Sequence, residues 1–146
     1  MIYRIIILSL LFMASSCRSD RNLDFKDCDF DTDNEICLIL PEVGCGDCIA
    51  GGVAFLLNQK EKFSSHQKRN KIIFTAISSV KMLKRALDDT DLDSLNCEID
   101  TANRFLLPPP DGLYPIVVYL KEGKIKKIDI QNPNNTNVLK DLLKQL

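Results

Sequence analysis

Residues 36 to 48 read ICLILPEVGCGDC, and this stretch decides the fold. Five consecutive apolar residues, Ile36 to Leu40, end at Pro41, a pattern typical of a strand buried on both faces of a sheet. Two cysteines separated by two residues, Cys45 and Cys48, follow shortly after the proline. Such a pair is typical of a redox site, of half a metal site, or of two purely structural residues.

The residues after the cysteines predict one α/β domain over residues 36–146. Apolar residues at helical spacing from Ile49 predict a helix of about fifteen residues, within which Gly51 and Gly52 indicate a bend or a close backbone contact. Further strands are predicted near residues 72–77, 95–99, 116–120 and 125–130, and helices after residues 79 and 137. The last two strands predict a hairpin.

The composition is that of an ordinary folded protein. The chain has 146 residues, of which 27% are charged and 45% hydrophobic, and its net charge is -1. That length is sufficient for one hydrophobic core. Because there is no basic excess to attract phosphates, we expect no nucleic-acid partner.

The N-terminal residues predict an export signal. A short positive start, residues 1–4, precedes a mostly apolar run from Ile5 to Ala14, which is too short to span a bilayer, since a span needs about 20 residues. Two serines then lead into Cys17. This ending resembles the lipobox of bacterial lipoproteins, which implies a signal peptide over residues 1–16 and a lipid on Cys17. A plain cleavable signal is the alternative.

Residues 17–35 are mostly charged or small and polar, with aspartates at positions 20, 24, 27, 29, 31 and 33. Such a composition predicts a flexible, solvated tether. With a lipid on Cys17, the tether would hold the domain at a bacterial membrane, on the periplasmic or outer-surface face of the cell envelope.

A buried strand that runs into C-x-x-C at a helix start, followed later by a proline, a strand hairpin and a terminal helix, resembles the thioredoxin-like fold. The closer likeness is to membrane-tethered thiol-disulfide oxidoreductases of bacteria. This resemblance covers residues 36–146 and implies a central mixed β-sheet flanked by helices. It aligns Cys45 and Cys48 with the paired redox cysteines.

The same resemblance aligns Pro115 with the cis-proline that faces the cysteines, so Tyr114 and Pro115 would bind the backbone of a substrate chain. A cis bond before proline is accessible, because it is only about 0.5–1 kcal/mol less favourable than trans. The alternative is an ordinary trans proline at the start of a strand.

The expected chemistry is thiol-disulfide exchange. Cys45 lies just before a predicted helix, where backbone N–H groups and the helix dipole stabilise a thiolate, so Cys45 would be the nucleophile and Cys48 the resolving thiol. Glu42 and Asp47 add negative charge nearby, which predicts a less depressed Cys45 pKa and therefore a reductant or a slow exchanger. No cofactor is expected, and the partners would be protein disulfides or thiols and an electron donor of unknown identity.

Three alternatives depend on other residues. The family usually has tryptophan where this chain has Gly44, and glycine-proline where it has Gly46 and Asp47, so a non-catalytic binding or scaffold lipoprotein stays open. We expect no metal site, because zinc usually takes four ligands and His66 is the only histidine. A copper-delivery protein would need His66 near the cysteines.

Besides Cys17, three cysteines lie outside the C-x-x-C pair. Cys37 falls in the apolar strand and is predicted to be a small buried hydrophobe. Cys28 and Cys97 are candidates for a structural disulfide, although the spacing does not assign the pairing.

Overall fold

The structure, a computed structural model, describes residue 25, residues 30–42 and residues 48–146, without the side chains of residues 48–50 and 93. It contains a five-stranded mixed sheet. The strands are β1 Ile36–Pro41, β2 Asn70–Thr75, β3 Cys97–Asp100, β4 Ile116–Lys121 and β5 Lys124–Ile130. Their order in the sheet is β3-β2-β1-β4-β5, with β1, β2 and β3 parallel and β4 antiparallel to both β1 and β5.

The helices alternate with the strands. They are α1 Cys48–Asn58, α2 Lys60–Ser65, α3 Val80–Asp89 and α4 Val138–Leu142, and two 3₁₀ turns span Leu92–Ser94 and Asp111–Leu113. The predicted fifteen-residue helix is thus two helices, divided at Gln59. None of the helices in the described ranges is long and apolar enough to cross a membrane. A strand-helix-strand unit at the centre of a mixed sheet, with a later hairpin and terminal helix, confirms the predicted α/β thioredoxin-like fold.

Strand β1 occupies the centre of the sheet, and all six of its residues are buried. Its neighbour on one side is β2, where Leu38 pairs with Ile72, and on the other side β4, where Leu38 pairs with Val117. Because both faces and both backbone edges of β1 are covered, it accommodates only apolar side chains. The prediction of a buried strand is confirmed, and Cys37 is fully buried within it.

All four helices contribute to the core on one side of the sheet, which we call the helix face. Leu38 and Leu40 of β1 point to this face, and alternate residues of β2 do the same, as the two-residue period of a strand requires. The side chains that cover it are apolar and widely spaced along the chain: Leu56, Phe63, Leu83, Leu87, Val138 and Leu142.

The opposite side, the loop face, carries Cys37 and Ile39 and is covered by chain that is not helical. Phe30 lies against Phe105, with ring centroids 5.6 Å apart, and Phe25 lies 6.4 Å from the same ring. Phe25 is only 4% exposed. The folded unit therefore includes residue 25 and residues 30–35, which corrects the predicted start of the domain at residue 36. The rest of the predicted tether and the signal peptide lie outside the described residues.

The predicted hairpin is confirmed. Glu122 and Gly123 join β4 to β5 with φ angles of 53° and 71°, the left-handed pair that a type I′ turn requires. A Cβ atom on Gly123 would lie 3.2 Å from the carbonyl oxygen of Phe30, so the N-terminal segment passes directly over this turn. The turn lies beyond the amino end of β1, because β4 runs antiparallel to it.

Candidate functional site

The candidate site lies at the carboxyl end of the sheet, where the three parallel strands finish together. The register pairs Pro41 of β1 with Thr75 of β2, and Thr75 with Asp100 of β3. From β1 the chain continues to β2 on one side of β1, whereas β4 lies on the other side of β1. Sites in α/β sheets lie outside the carboxyl ends of the strands at such a reversal of strand order.

Cys48 is the first residue of α1 and therefore belongs to the helix that follows the central strand, β1, along the chain. Cys45 falls in residues 43–47 and lies outside the described residues, as do Cys17 and Cys28. The redox pair, the lipidation site and a Cys28–Cys97 disulfide all stay predictions.

A glycine allows α1 to approach β1 closely. A Cβ atom on Gly52 would lie 3.2 Å from Cδ1 of Leu40, which is tighter than almost all real contacts of this kind, whereas a Cβ on Gly51 would meet no atom within 4 Å. Gly52 thus supplies the close backbone contact that the sequence indicated. The first turns of α1 are fixed against the strand that leads to the cysteines.

Glu42 ties the end of β1 to the segment that follows β2. Its carboxylate accepts hydrogen bonds from the Ser78 backbone N–H and from the Ser78 hydroxyl, the latter at 2.7 Å. The Glu42 N–H donates to the Thr75 carbonyl at 3.0 Å. Both the backbone N–H and the carboxylate of Glu42 are therefore hydrogen-bonded, and the carboxylate accepts from two donors on the β2 side of the site.

A buried carboxylate lies at the end of β3, and the sequence analysis did not find it. One oxygen of Asp100, Oδ2, accepts hydrogen bonds from the Thr75 hydroxyl at 2.9 Å and from the Phe105 N–H at 2.8 Å. The other oxygen, Oδ1, is buried without a hydrogen bond. Its contact with Arg104 Nε, at 3.9 Å, is an ion pair that is too long to be a hydrogen bond. Asp100 therefore fixes the start of the loop that crosses the loop face.

Pro115 also lies at the carboxyl end of the sheet. Its neighbour Ile116 pairs with Ile39 of β1, which places Pro115 beside the last residues of β1 and therefore on the same side of the molecule as Cys48. The Pro115 carbonyl accepts a hydrogen bond from the Gln131 N–H at 2.9 Å. The structure thus brings Pro115 and Cys48 to one end of the sheet, as the resemblance implied.

The expected cis bond at Pro115 is wrong. The cis peptide bond of the described residues joins Pro109 to Pro110. Tyr114 has extended backbone angles, φ -123° and ψ 154°, and continues directly into β4. A trans proline fits immediately before a strand because it has no N–H that the sheet would need to satisfy.

His66 lies far from Cys48 along the chain. It follows α2 near the beginning of β2, at the amino end of the sheet, where its Nδ1 lies 2.8 Å from the Ser65 hydroxyl. Helix α1 alone carries the chain about 16 Å away from Cys48, at 1.5 Å per residue. Within the described part of the chain, no three His, Cys, Asp or Glu side chains are clustered as metal ligands would be.

The described groups whose pKa values are shifted lie away from the carboxyl end of the sheet. Burial raises the pKa of Tyr119, which pairs with Ile36 at the amino end of β1. The hydrogen bond to Asp129 raises the pKa of Lys127, and the hydrogen bond from Lys144 lowers that of Asp141. Electrostatic perturbation therefore does not single out the carboxyl end of the sheet among the described groups.

No family model matches this chain, and no curated protein does. A solved structure, reduced Prx3 from Vibrio vulnificus, is similar to it with 9% sequence identity and a TM-score of 0.46, over 76% of this chain and 82% of that one. At that level of similarity, the fold assignment depends on the strand order and helix positions described above.

Replacing Asp100 tests its role in holding the loop. We expect Asp100→Ala to lower the free energy of unfolding by about 1–3 kcal/mol, because it leaves the buried Thr75 hydroxyl and Phe105 N–H without an acceptor. Asp100→Asn keeps one acceptor oxygen and should have a smaller effect. Urea unfolding measures both, with the exposed Asp88→Ala as a control expected to change stability by less than about 0.5 kcal/mol. Equal stability of Asp100→Ala and wild type would contradict this role.

Proposed function

We propose that this protein is a lipid-anchored domain outside the cytoplasmic membrane that exchanges thiols and disulfides with protein partners. The observation that supports the proposal most is the position of Cys48, the first residue of the helix that follows the central strand of a thioredoxin-like sheet. In this proposal Cys45, three residues before Cys48 in the sequence, lies near the start of that helix, where a thiolate is stabilised.

The exchange would proceed in two steps. The Cys45 thiolate attacks one sulfur of a substrate disulfide, a mixed disulfide forms, and the other substrate sulfur leaves as a thiolate. The Cys48 thiolate then attacks Cys45 in the mixed disulfide, so that a Cys45–Cys48 disulfide forms and the second substrate thiolate leaves. Two electrons pass from the dithiol to the substrate, and a dithiol donor would restore the reduced pair by the reverse exchange.

Insulin reduction tests this chemistry. We expect the wild-type protein, purified with its lipid in detergent, to accelerate the reduction of insulin by dithiothreitol, and Cys45→Ser to abolish the acceleration because it removes the attacking thiolate. Cys97→Ser is the matched control, because Cys97 begins β3 at the amino end of the sheet. Equal and negligible activity of wild type and Cys45→Ser would favour the alternative, a non-catalytic binding or scaffold lipoprotein.

The charges near the cysteines determine the proposed reducing direction. Asp47 lies between the two cysteines in the sequence, and a negative charge there disfavours the Cys45 thiolate. Asp47→Asn should therefore lower the pKa of Cys45, measured by the ultraviolet absorbance of the thiolate. Glu42→Gln should lower it less, because the Glu42 carboxylate already binds both donors of Ser78. A strongly depressed Cys45 pKa in the wild type would rule out the reducing direction.

The anchor has its own test. A lipobox-type cysteine is acylated, so growth with labelled palmitate should label the wild-type protein and leave Cys17→Ser unlabelled. Cys28→Ser is the matched control and should keep the label. An unlabelled wild-type protein would instead support the plain cleavable signal.

A further inference from the structure

Helix α3 presents an unusual set of exposed residues. Lys81, Met82, Lys84 and Arg85 are all exposed, and we call them the basic patch; Asp88 and Asp89 adjoin its cations. The Met82 side chain is 73% exposed, the largest exposed fraction among the exposed large hydrophobic residues of the described chain. Lys81 and Lys84 form no ion pair with any described residue, and Arg85 contacts Asp89 only at 3.7 Å.

The helix dipole does not explain the order of these charges. The buried residues Leu83 and Leu87 fix the rotation of α3, so the exposed positions follow from packing. A helix is stabilised by acidic residues in its first turns and basic residues in its last, whereas α3 has no acid in its first turn and no base in its last. Lys81 lies in its first turn, Lys84 and Arg85 lie in its middle, and Asp88 and Asp89 end it.

Another basic surface of the protein has a structural explanation. Strand β5 lies at the edge of the sheet and exposes Lys124, Lys126 and Lys127. Exposed lysines on an edge strand prevent unwanted pairing with other chains. The basic patch of α3 has no such role, since helices leave no backbone edge to protect.

The basic patch lies close to the candidate site. Ser79 caps α3, with its side chain accepting from the Met82 N–H, and the adjacent Ser78 is bound to Glu42. Glu42 is three residues from Cys45 along the chain, a span of at most about 11 Å. Lys81 is three residues from Ser78, which gives a similar limit, so the two chain spans together cover at most about 22 Å, the length of about seven extended residues.

We propose that the basic patch docks an acidic, partly apolar segment of the protein substrate, about four to seven residues from the disulfide to be exchanged. The inference concerns the substrate class and depends on the proposed function. The cations would meet the acidic side chains of the substrate, and the exposed Met82 would contact an apolar residue beside them.

Two synthetic peptides test the proposal directly. Each carries one disulfide loop followed, four to seven residues away, by either glutamate and leucine or lysine and leucine. Binding is measured by fluorescence anisotropy at low salt with the Cys45→Ser/Cys48→Ser variant, in which exchange does not occur. We expect the glutamate peptide to bind at least about fivefold more tightly, and the difference to disappear in 1 M salt, where the screening length is about 3 Å.

Charge reversal locates the docking surface. Lys81→Glu/Lys84→Glu should invert the preference between the two peptides, and Met82→Ser should weaken binding of the glutamate peptide by about twofold to fivefold. The matched control, Lys124→Glu/Lys126→Glu, makes the same charge change at β5 and should keep the preference. Equal binding of both peptides by the parent variant, or an equal change in the control, would overturn the proposal.

Stability and turnover complete the test. Lys81→Glu/Lys84→Glu should unfold at the same or a higher temperature than wild type, because Lys81→Glu places a negative charge in the first turn of the helix. Weaker binding accompanied by unfolding would overturn the docking interpretation. With the cysteines intact, the same change should raise KM for the glutamate peptide and leave kcat unchanged. Absence of turnover in the wild type, together with the expected binding, would overturn the proposed chemistry while supporting the docking surface.

Discussion

Burial of the central strand is the constraint on which the rest of the structure depends. Every residue of β1 is covered on both faces, and its two backbone edges are paired with β2 and β4. A strand in this position needs apolar chain above it and below it. At the carboxyl end of β1 the chain leaves the sheet between β2, which is parallel to β1, and β4, which is antiparallel to it. The helix that begins at Cys48 is located there because the sheet is arranged in this way.

The two faces of the sheet meet this requirement differently. Helices satisfy their own backbone groups, so the helix face needs only apolar side chains. The loop face is covered by aromatic rings on irregular chain, whose backbone groups need other partners. Asp100 accepts the Phe105 N–H, and Asn103 accepts the Ala76 N–H at 3.0 Å. Both contacts lie at the carboxyl end of the sheet, so the cover of the loop face and the surroundings of the candidate site depend on the same few polar residues.

Strong hydrophobic patterns made much of the fold predictable from the sequence. The five apolar residues of β1 and the two strands of the hairpin were found where the structure has them. Strand β2 was predicted too late, because Ala76 has a φ angle of 55° and leaves the strand, which no residue preference for alanine indicates. The six aspartates in residues 17–35 indicated a solvated tether, so the packing of Phe25 and Phe30 was not predicted. The average composition of a segment gives no information about two aromatic residues that pack onto a distant loop.

The candidate site was predictable only in part. The position of Cys48 followed from a strand and a helix that local sequence specifies, and Pro115 was correctly assigned to the same end of the sheet. The isomer of the Tyr114–Pro115 bond was not predicted correctly, because the free-energy difference between cis and trans is too small for sequence alone to decide it. Asp100 was missed because its importance arises from Thr75 and Phe105, which only the folded chain brings together.

The distribution of lysines shows how a structural role can be separated from a functional one. On β5 the exposed lysines lie on an edge strand, and the fold alone gives a reason for them. On α3, Lys81 lies in the first turn and opposes the dipole of its own helix, beside a methionine that the fold does not bury. Selection for stability would favour the reverse order of charges. A surface that departs from the local rule next to a candidate redox site is therefore better explained by what binds there than by how the chain folds.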